Sequence, residues 1–179
     1  WRLVDESGND VPADGVARGE LLVRGHAVTA SYYHNEHATA AAFEPDGWFH
    51  TGDIVTVDEY GYLEIVDRVK DFIKSGGEWI SSVELENVIM SHASVREACA
   101  FGIPHPKWQE RPVAAVVLRE GHALGEEELR TYLAEHLSKW QVPDRVVFVE
   151  AIPRTGVGKF LKRDLRVKYE RLFSGDADR

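Results

Sequence analysis

The stretch that most constrains this chain runs from Asp67 to Glu86 and reads Asp-Arg-Val-Lys-Asp-Phe-Ile-Lys-Ser-Gly-Gly-Glu-Trp-Ile-Ser-Ser-Val-Glu-Leu-Glu. Four charges (Asp67, Arg68, Lys70, Asp71) fall within five positions, after an alternating strand-like segment and before a short apolar run, a Gly-Gly pair and a helix start. A polar cluster between two apolar patterns reads as a joint between two structured bodies. Gly76 and Gly77 can take φ > 0 and let a ligand approach the backbone with no Cβ in the way. Ser81 with Glu84 makes a capping box that opens the next helix, with Ser82 and Leu85 as the less favourable register.

Upstream of the joint the pattern is β-rich. Trp1 to Asp5 and Glu20 to Arg24 read as strands separated by polar, Gly-bearing turns. Asn35 caps a short Ala-rich helix over Glu36 to Phe43, which stops before Pro45 and the turn Asp46-Gly47. Ile54 to Val57 and Tyr62 to Val66 form a hairpin through Asp58 to Gly61. Asp53 is then expected where a loop enters a sheet, a common place for a ligand-reading carboxylate.

Downstream, Leu85, Val88, Ile89 and His92 recur at helical spacing, and Val95 to Ile103 and Pro112 to Leu118 read as two buried strands with Pro104-His105-Pro106 bending the chain between them. A second helix carries Leu129, Tyr132, Leu133 and Leu137 behind the acidic run Glu126 to Glu128, which suits a helix N-terminus. Val146 to Val149 is a third strand. A Gly-rich loop, Pro153 to Lys159, leads into a basic amphipathic helix over Lys162 to Phe173, and 174–179 reads as a loose tail. The fold class is α+β: a β-rich subdomain, a distorted barrel-like piece, over 1–68, then a small α/β domain with a mixed sheet flanked by helices over 69–173.

With 179 residues the chain holds one domain or two small ones. A net charge of −9 argues against broad attraction to nucleic acid or to an anionic membrane. The single cysteine, Cys99, can form no intrachain disulfide, and a reducing compartment, the cytoplasm, is the natural reading. No apolar stretch approaches the roughly 20 residues that span a bilayer, no signal-peptide pattern opens the chain, and nothing in it indicates membrane association. The chain begins at Trp1, already inside a strand-like pattern, which suggests a fragment of something longer.

Taken one at a time, the candidate residues decide little. Gly156-Val157-Gly158-Lys159 invites comparison with a phosphate-binding loop, but that pattern needs a glycine where Pro153 stands and a Ser or Thr where Phe160 stands. Read alone, Lys159 is a solvated lysine on a flexible Gly loop, Asp53 a turn residue, Arg68 and Lys70 an interdomain charge cluster, and Gly76-Gly77 a helix-entry turn. The eight histidines show no ligand spacing, so no metal site is expected within this chain. No Ser-His-Asp order can be argued either.

Taken together, three segments carry more. Gly47-Trp48-Phe49-His50-Thr51-Gly52-Asp53, the joint Asp67 to Glu86, and Pro153-Arg154-Thr155-Gly156-Val157-Gly158-Lys159 with Leu161-Lys162-Arg163-Asp164-Leu165-Arg166 resemble, in order and spacing, the adenylate-forming superfamily of acyl-CoA synthetases, luciferases and peptide-synthetase adenylation domains. Ile73 to Ser82 is most similar to medium- and long-chain fatty acyl-CoA ligases. The resemblance implies a two-step reaction in which ATP and a carboxylate give an acyl-adenylate and pyrophosphate, after which the CoA thiol displaces AMP. Neither step needs a nucleophilic triad, because the carboxylate is already an anion and a thiol of ordinary pKa, about 8.5, is partly ionised near neutrality.

What the resemblance implies for single residues follows position by position. Lys159 matches the lysine that enters the site for adenylation, where negative charge gathers around the α-phosphate. Asp53 matches the carboxylate that accepts both ribose hydroxyls, Arg68 a ribose or phosphate contact beside it, and Lys74 a phosphate contact. Lys70 falls at the hinge about which a mobile C-terminal domain turns between its adenylating and thioester-forming orientations. Gly76 and Gly77 would then line the pantetheine passage, and Trp79 the acyl or pantetheine route.

The resemblance also bounds what this chain does alone. The phosphate loop, the adenine-contacting segment, the acyl pocket and the ligands of the Mg2+ that accompanies ATP are expected outside it, in a missing N-terminal domain. The implied partners are fatty acid, ATP and CoA, and the chain by itself is expected to be catalytically incomplete. Two other readings stand beside this one: an aryl or amino acid adenylating enzyme that loads a carrier protein, and a non-catalytic CoA-binding or interaction module.

Overall fold

The computed structural model describes residues 1–173; the tail expected over 174–179 lies outside the described residues. The chain divides into two compact units, Trp1–Lys70 and Asp71–Arg179.

In the first unit, β1 (Arg2–Val4), β2 (Gly19–Val23), β3 (Phe49–Val57) and β4 (Leu63–Arg68) make an antiparallel sheet in the order β1-β2-β3-β4. Leu3, Val55 and Val57 are buried on one side of it, packed with Val11 and Leu21. Helix α1 (Glu36–Ala42) lies between β2 and β3 in the chain, and the Asn35 side chain accepts from the Ala38 amide at 2.9 Å, the capping read from the sequence.

Strand β3 corrects one expectation: it starts at Phe49, not Ile54, so Asp53 lies inside the strand. Polar residues hide this strand from a pattern search. Glu20 pairs with Ile54 while Leu22 pairs with His50, so Thr51, Gly52 and Asp53 together face Leu21 alone across a wide bulge. Gly52, at φ +71°, supplies the left-handed turn that this bulge requires.

The second unit contains β5 (Ile73–Ser75), β6 (Glu78–Ile80), α2 (Ser82–Met90), β7 (Val95–His105), β8 (Gln109–Leu118), α3 (Glu126–His136), β9 (Arg145–Phe148) and α4 (Lys162–Tyr169). The sheet runs β6-β5-β8-β7 with antiparallel neighbours, and β9 joins β8 in parallel, which makes it mixed as expected. Ser81 caps α2 by accepting from the Glu84 amide at 3.2 Å, the register the capping box implies.

Within strand β7, Ala98 to Ile103 is an unbroken apolar run rather than an alternation, and the packing shows why. Ala98 and Ala100 join Leu85, Ile89, Leu129 and Leu133 in one buried cluster, while Cys99, Phe101 and Ile103 join Ile152, Leu165 and Phe173 in another. With α2 and α3 on one face and α4 on the other, every position must be apolar. Each large side chain so buried contributes about 1.5–3 kcal/mol. The bend expected at Pro104 to Pro106 falls later, because β7 continues through Pro104, paired with Glu110, to His105. Helix α4 ends at Tyr169 rather than Phe173, yet Phe173 remains buried in the core.

Candidate functional site

Each unit carries its own set of candidate residues. In the first, the bulge presents Asp53 beside Arg68, its cross-strand partner on β4, and Arg68 Nε meets Asp53 Oδ1 at 2.9 Å. Arg68 Nη2 also reaches the Thr51 carbonyl at 3.4 Å, and the Arg68 amide donates to Asp67 Oδ1 at 2.7 Å. The Asp53 side chain is 25% exposed and that of Arg68 52%, so both remain open to a ligand. The single contact to Oδ1 leaves the Asp53 carboxylate acceptor capacity for a further donor.

A residue the sequence reading missed holds this bulge in shape. Glu20 on β2 accepts from the Gly52 amide through Oε1 at 3.1 Å and bonds His50 Nδ1 through Oε2 at 3.0 Å. The Thr51 hydroxyl donates to the Leu21 carbonyl at 2.8 Å. Together these bonds fix Thr51-Gly52-Asp53 from the neighbouring strand. An open cleft of about 450 Å³ lies alongside, lined by Glu20, Tyr32, His50, Gly52, Arg68 and Lys70 among others. Lys70, the expected hinge, is the last residue of this unit.

In the second unit, Gly76 and Gly77 form the turn between β5 and β6, at φ +62° and +88°. The Gly76 amide donates to the Trp108 carbonyl at 3.0 Å. Beside the turn, Lys74 Nζ sits 4.6 Å from the centre of the Trp79 ring, a cation–π contact, and Trp79 packs on Phe72 at 5.3 Å.

Two charged residues on β8 brace the turn from below, and neither was read from the sequence. Glu110 Oε2 accepts from the Lys74 amide at 3.0 Å. Arg111, only 12% exposed, makes a bidentate pair with Asp144 at 2.7 Å for each bond and donates to the buried Ser75 hydroxyl at 2.8 Å. Their only sequence signal is charge at the edge of an apolar strand, which does not name a partner.

Lys159 stands on a tighter structure than the flexible Gly loop expected. The Thr155 amide donates to the Lys159 carbonyl at 2.8 Å, the Leu161 amide to the Pro153 carbonyl at 2.8 Å, and the Lys159 amide to the Thr155 hydroxyl at 3.1 Å, closing a small hairpin. Arg154 donates to the Gly158 carbonyl at 2.7 Å, lies over the Phe160 ring at 4.3 Å and pairs with Glu97 of β7 at 3.1 Å. The backbone is thus pinned while Lys159 itself is exposed.

Cys99, in contrast, is fully buried, and burial pushes its thiol up to about 12, with the nearby Lys162 ammonium opposing that shift. It is inert as a nucleophile at neutral pH. Among the described residues, no group of three His, Cys, Asp or Glu side chains could hold a metal ion, and no helix is long and apolar enough to cross a membrane.

Comparison with known proteins gives these two sets of residues a context. Residues 84–159 match the AMP-binding enzyme C-terminal domain. Over 97% of its length the chain is 55% identical to a long-chain-fatty-acid–CoA ligase of Thermus thermophilus and 49% identical to a 3-methylmercaptopropionyl-CoA ligase of Ruegeria pomeroyi. It spans 32% of each, about a third of the length of these curated relatives. Among solved structures, ATP-bound MatB from Rhodopseudomonas palustris is similar with a TM-score of 0.87 at 33% identity, over 96% of this chain and 34% of that one.

Proposed function

We propose that this chain, whose residues 84–159 match the AMP-binding enzyme C-terminal domain, is the C-terminal portion of a fatty acyl-CoA synthetase. The reaction is ATP + fatty acid + CoA to acyl-CoA + AMP + pyrophosphate, through an acyl-adenylate. The observation that carries this reading is Lys159: the last residue of the matched domain is an exposed ammonium on a pinned hairpin.

On this reading Lys159 is the catalytic cation of the first step. As the fatty acid carboxylate attacks the α-phosphorus, negative charge accumulates on the phosphate oxygens, and pyrophosphate leaves. An ammonium about 4 Å from such an anion contributes roughly 4 kcal/mol at an effective dielectric of 20 and about 1 in water, so water exclusion gives the lysine its effect. The pinned hairpin suits that role because it spares the reorganisation a loose loop would need.

The remaining assignments follow the chemistry of each group. Asp53 accepts the two ribose hydroxyls of the nucleotide, for which a carboxylate with two oxygens is suited. Arg68, which pairs with Asp53 at 2.9 Å, contacts ribose or phosphate next to it. Lys74 contacts phosphate. Lys70 is the hinge, with 1–68 belonging to the larger N-terminal domain and 69–173 forming the mobile one.

Turning about Lys70 withdraws Lys159 and brings in Gly76 and Gly77 to line the pantetheine passage, with Trp79 on the acyl or pantetheine route. The Mg2+ that accompanies ATP takes its ligands from outside this chain. A reducing cytoplasm suits a chain whose one thiol is free and buried.

The test uses the longer enzyme that contains this chain. Supplied with ATP and a fatty acid it should exchange pyrophosphate, and on addition of CoA it should release acyl-CoA and AMP. The isolated chain should do neither; robust turnover by residues 1–179 alone would overturn the assignment. Acyl transfer to a carrier protein in place of CoA would replace it with the carrier-loading reading.

A further inference from the structure

Helix α4 begins three residues after Lys159 and carries two cations a helical turn apart, Lys162 and Arg166, each bound to an acid outside the helix. Lys162 Nζ meets Glu86 Oε1 at 2.8 Å and donates to the Ser82 hydroxyl at 2.6 Å, so the helix start is bonded to α2. The Lys162 and Glu86 side chains are each only 13% exposed, and Glu86 Oε1 also accepts from the Ala100 amide of β7 at 2.9 Å. One turn on, Arg166 Nη2 reaches Asp71 Oδ1 at 3.2 Å. Asp71 is the first residue of its unit and follows Lys70 directly in the chain. Between the two pairs, Leu165 is buried in the core under α4.

A buried ion pair adds little net stability compared with apolar side chains of the same volume, and its best-attested use is to fix one arrangement among several. The arrangement fixed here is that of the Lys159 hairpin. Its outgoing strand runs from Lys159 through Phe160 and Leu161 straight into Lys162, with the Leu161 amide already bonded to the Pro153 carbonyl. A displacement of α4 therefore displaces Lys159. Apolar packing by Leu165 alone would let α4 slide or rotate, because hydrophobic contact is non-directional. Hydrogen-bonded charges at two successive turns allow neither.

We propose that Lys162 and Arg166 are positioning residues for Lys159: through Glu86 with Ser82, and through Asp71, they lock the hairpin-bearing helix to α2 and to the residue that follows the hinge, so that Lys159 moves as one piece with Asp71. The inference rests on the adenylating role proposed for Lys159. Neither Lys162 nor Arg166 touches the reacting atoms on this account. Their effect reaches the chemistry through the placement of another side chain, to which an offset of about 1 Å can cost on the order of a hundredfold in rate.

The test uses Lys162→Met, Lys162→Arg and Arg166→Gln in the longer enzyme, with two readouts. The first is amide hydrogen exchange over 154–161, with the β8 amides as the control for an intact core. Lys162→Met should speed exchange in the hairpin about tenfold or more while β8 stays protected. The second is the pair of half-reactions. Adenylation should lose about 10- to 100-fold in kcat with the KM for ATP within about threefold, while thioester formation from supplied acyl-adenylate stays within about threefold. Lys162→Arg should recover most of both losses, and the more exposed Arg166→Gln should show the same split at smaller amplitude.

Should Lys162→Met fail to fold, Lys162→Arg and Arg166→Gln carry the decision. Unchanged hairpin exchange with unchanged adenylation in a folded variant overturns the proposal, as does an equal loss in both half-reactions. If the unmutated enzyme performs neither half-reaction, the proposed function falls instead, while hydrogen exchange still decides whether the clamp holds the hairpin.

Discussion

The Trp108 ring lies over Gly76 so closely that a Cβ built on Gly76 would come within 2.9 Å of its Cε3 atom, whereas one built on Gly77 would meet nothing within 4 Å. The two glycines are neighbours in sequence and both have positive φ, yet they answer to different constraints. Gly76→Ala should cost about 2–4 kcal/mol, combining the left-handed penalty with overpacking against the indole, and Gly77→Ala about 1–2 kcal/mol from the backbone alone. Urea unfolding of the two variants checks the difference. Trp108→Ala added to Gly76→Ala should relieve the packing part and leave the backbone part. On the proposed assignment, Gly77→Phe should depress thioester formation while sparing adenylation, since nothing but the passage is left to obstruct.

Lys159→Ala should separate activity from stability. The side chain is exposed and the hairpin is closed by backbone atoms, Thr155 and Arg154, so the unfolding free energy should move by no more than about 0.5 kcal/mol. Pyrophosphate exchange should fall by about 10²–10³, the cost typical of one lost electrostatic donor, with thioester formation from supplied acyl-adenylate within a few-fold. Both half-reactions measured on one preparation, beside a thermal melt, provide the check. Loss of both in equal measure would argue against a two-orientation cycle.

What the sequence made legible and what it did not divide along a physical line. Elements specified by local order were readable: the Asn35 and Ser81 caps, the unbroken apolar run of β7, and the acidic first turn of α3 all depend on residues within a few positions. The candidate residues Asp53, Gly76, Gly77 and Lys159 were readable because they sit in contiguous motifs. Their supports were not. Glu20 serves Gly52 from 32 positions away, Arg111 meets Asp144 across 33, and Lys162 finds Ser82 across 80, and no period or spacing announces such pairs. Strand β3 was cut short for a related reason, since a bulge breaks the alternation by which a strand is recognised.

On the proposed assignment the Asp53–Arg68 ion pair belongs to the nucleotide site rather than supporting the fold. With Arg68 half exposed, the 2.9 Å contact is screened by solvent and contributes no more than about 1 kcal/mol to stability. Asp53→Asn should therefore leave the melting behaviour of the enzyme nearly unchanged. Its effect should appear in nucleotide binding, where replacing a charged acceptor forfeits about 1.5–3 kcal/mol and raises the KM for ATP roughly 10- to 100-fold. Arg68→Ala should raise it less, because the Asp53 carboxylate survives. Pyrophosphate exchange titrated with ATP distinguishes the two. A large drop in melting temperature for Asp53→Asn, with KM unchanged, would make the pair structural.

Cys99 gives the pH dependence that follows from burial. Its thiol is pushed from the ordinary 9.0 up to about 12, chiefly by desolvation, with the Glu86 and Asp71 charges adding to the shift and Lys162 and Arg166 opposing it. The sign follows from which state releases the proton first. Above about pH 9 the unfolded chain ionises its thiol while the folded chain does not, so the stabilisation is whole below that pH and is lost as pH rises toward 12. At pH 8 the thiolate fraction should be lower in the fold than in the unfolded chain by about a thousandfold. A chromogenic disulfide reagent should accordingly leave the native protein unlabelled and react with one thiol once denaturant is added. Rapid labelling of the native protein at pH 8 would mean that β7 opens locally. In that case Cys99→Val, which preserves an apolar side chain of similar volume, should abolish labelling at a cost below about 1.5 kcal/mol.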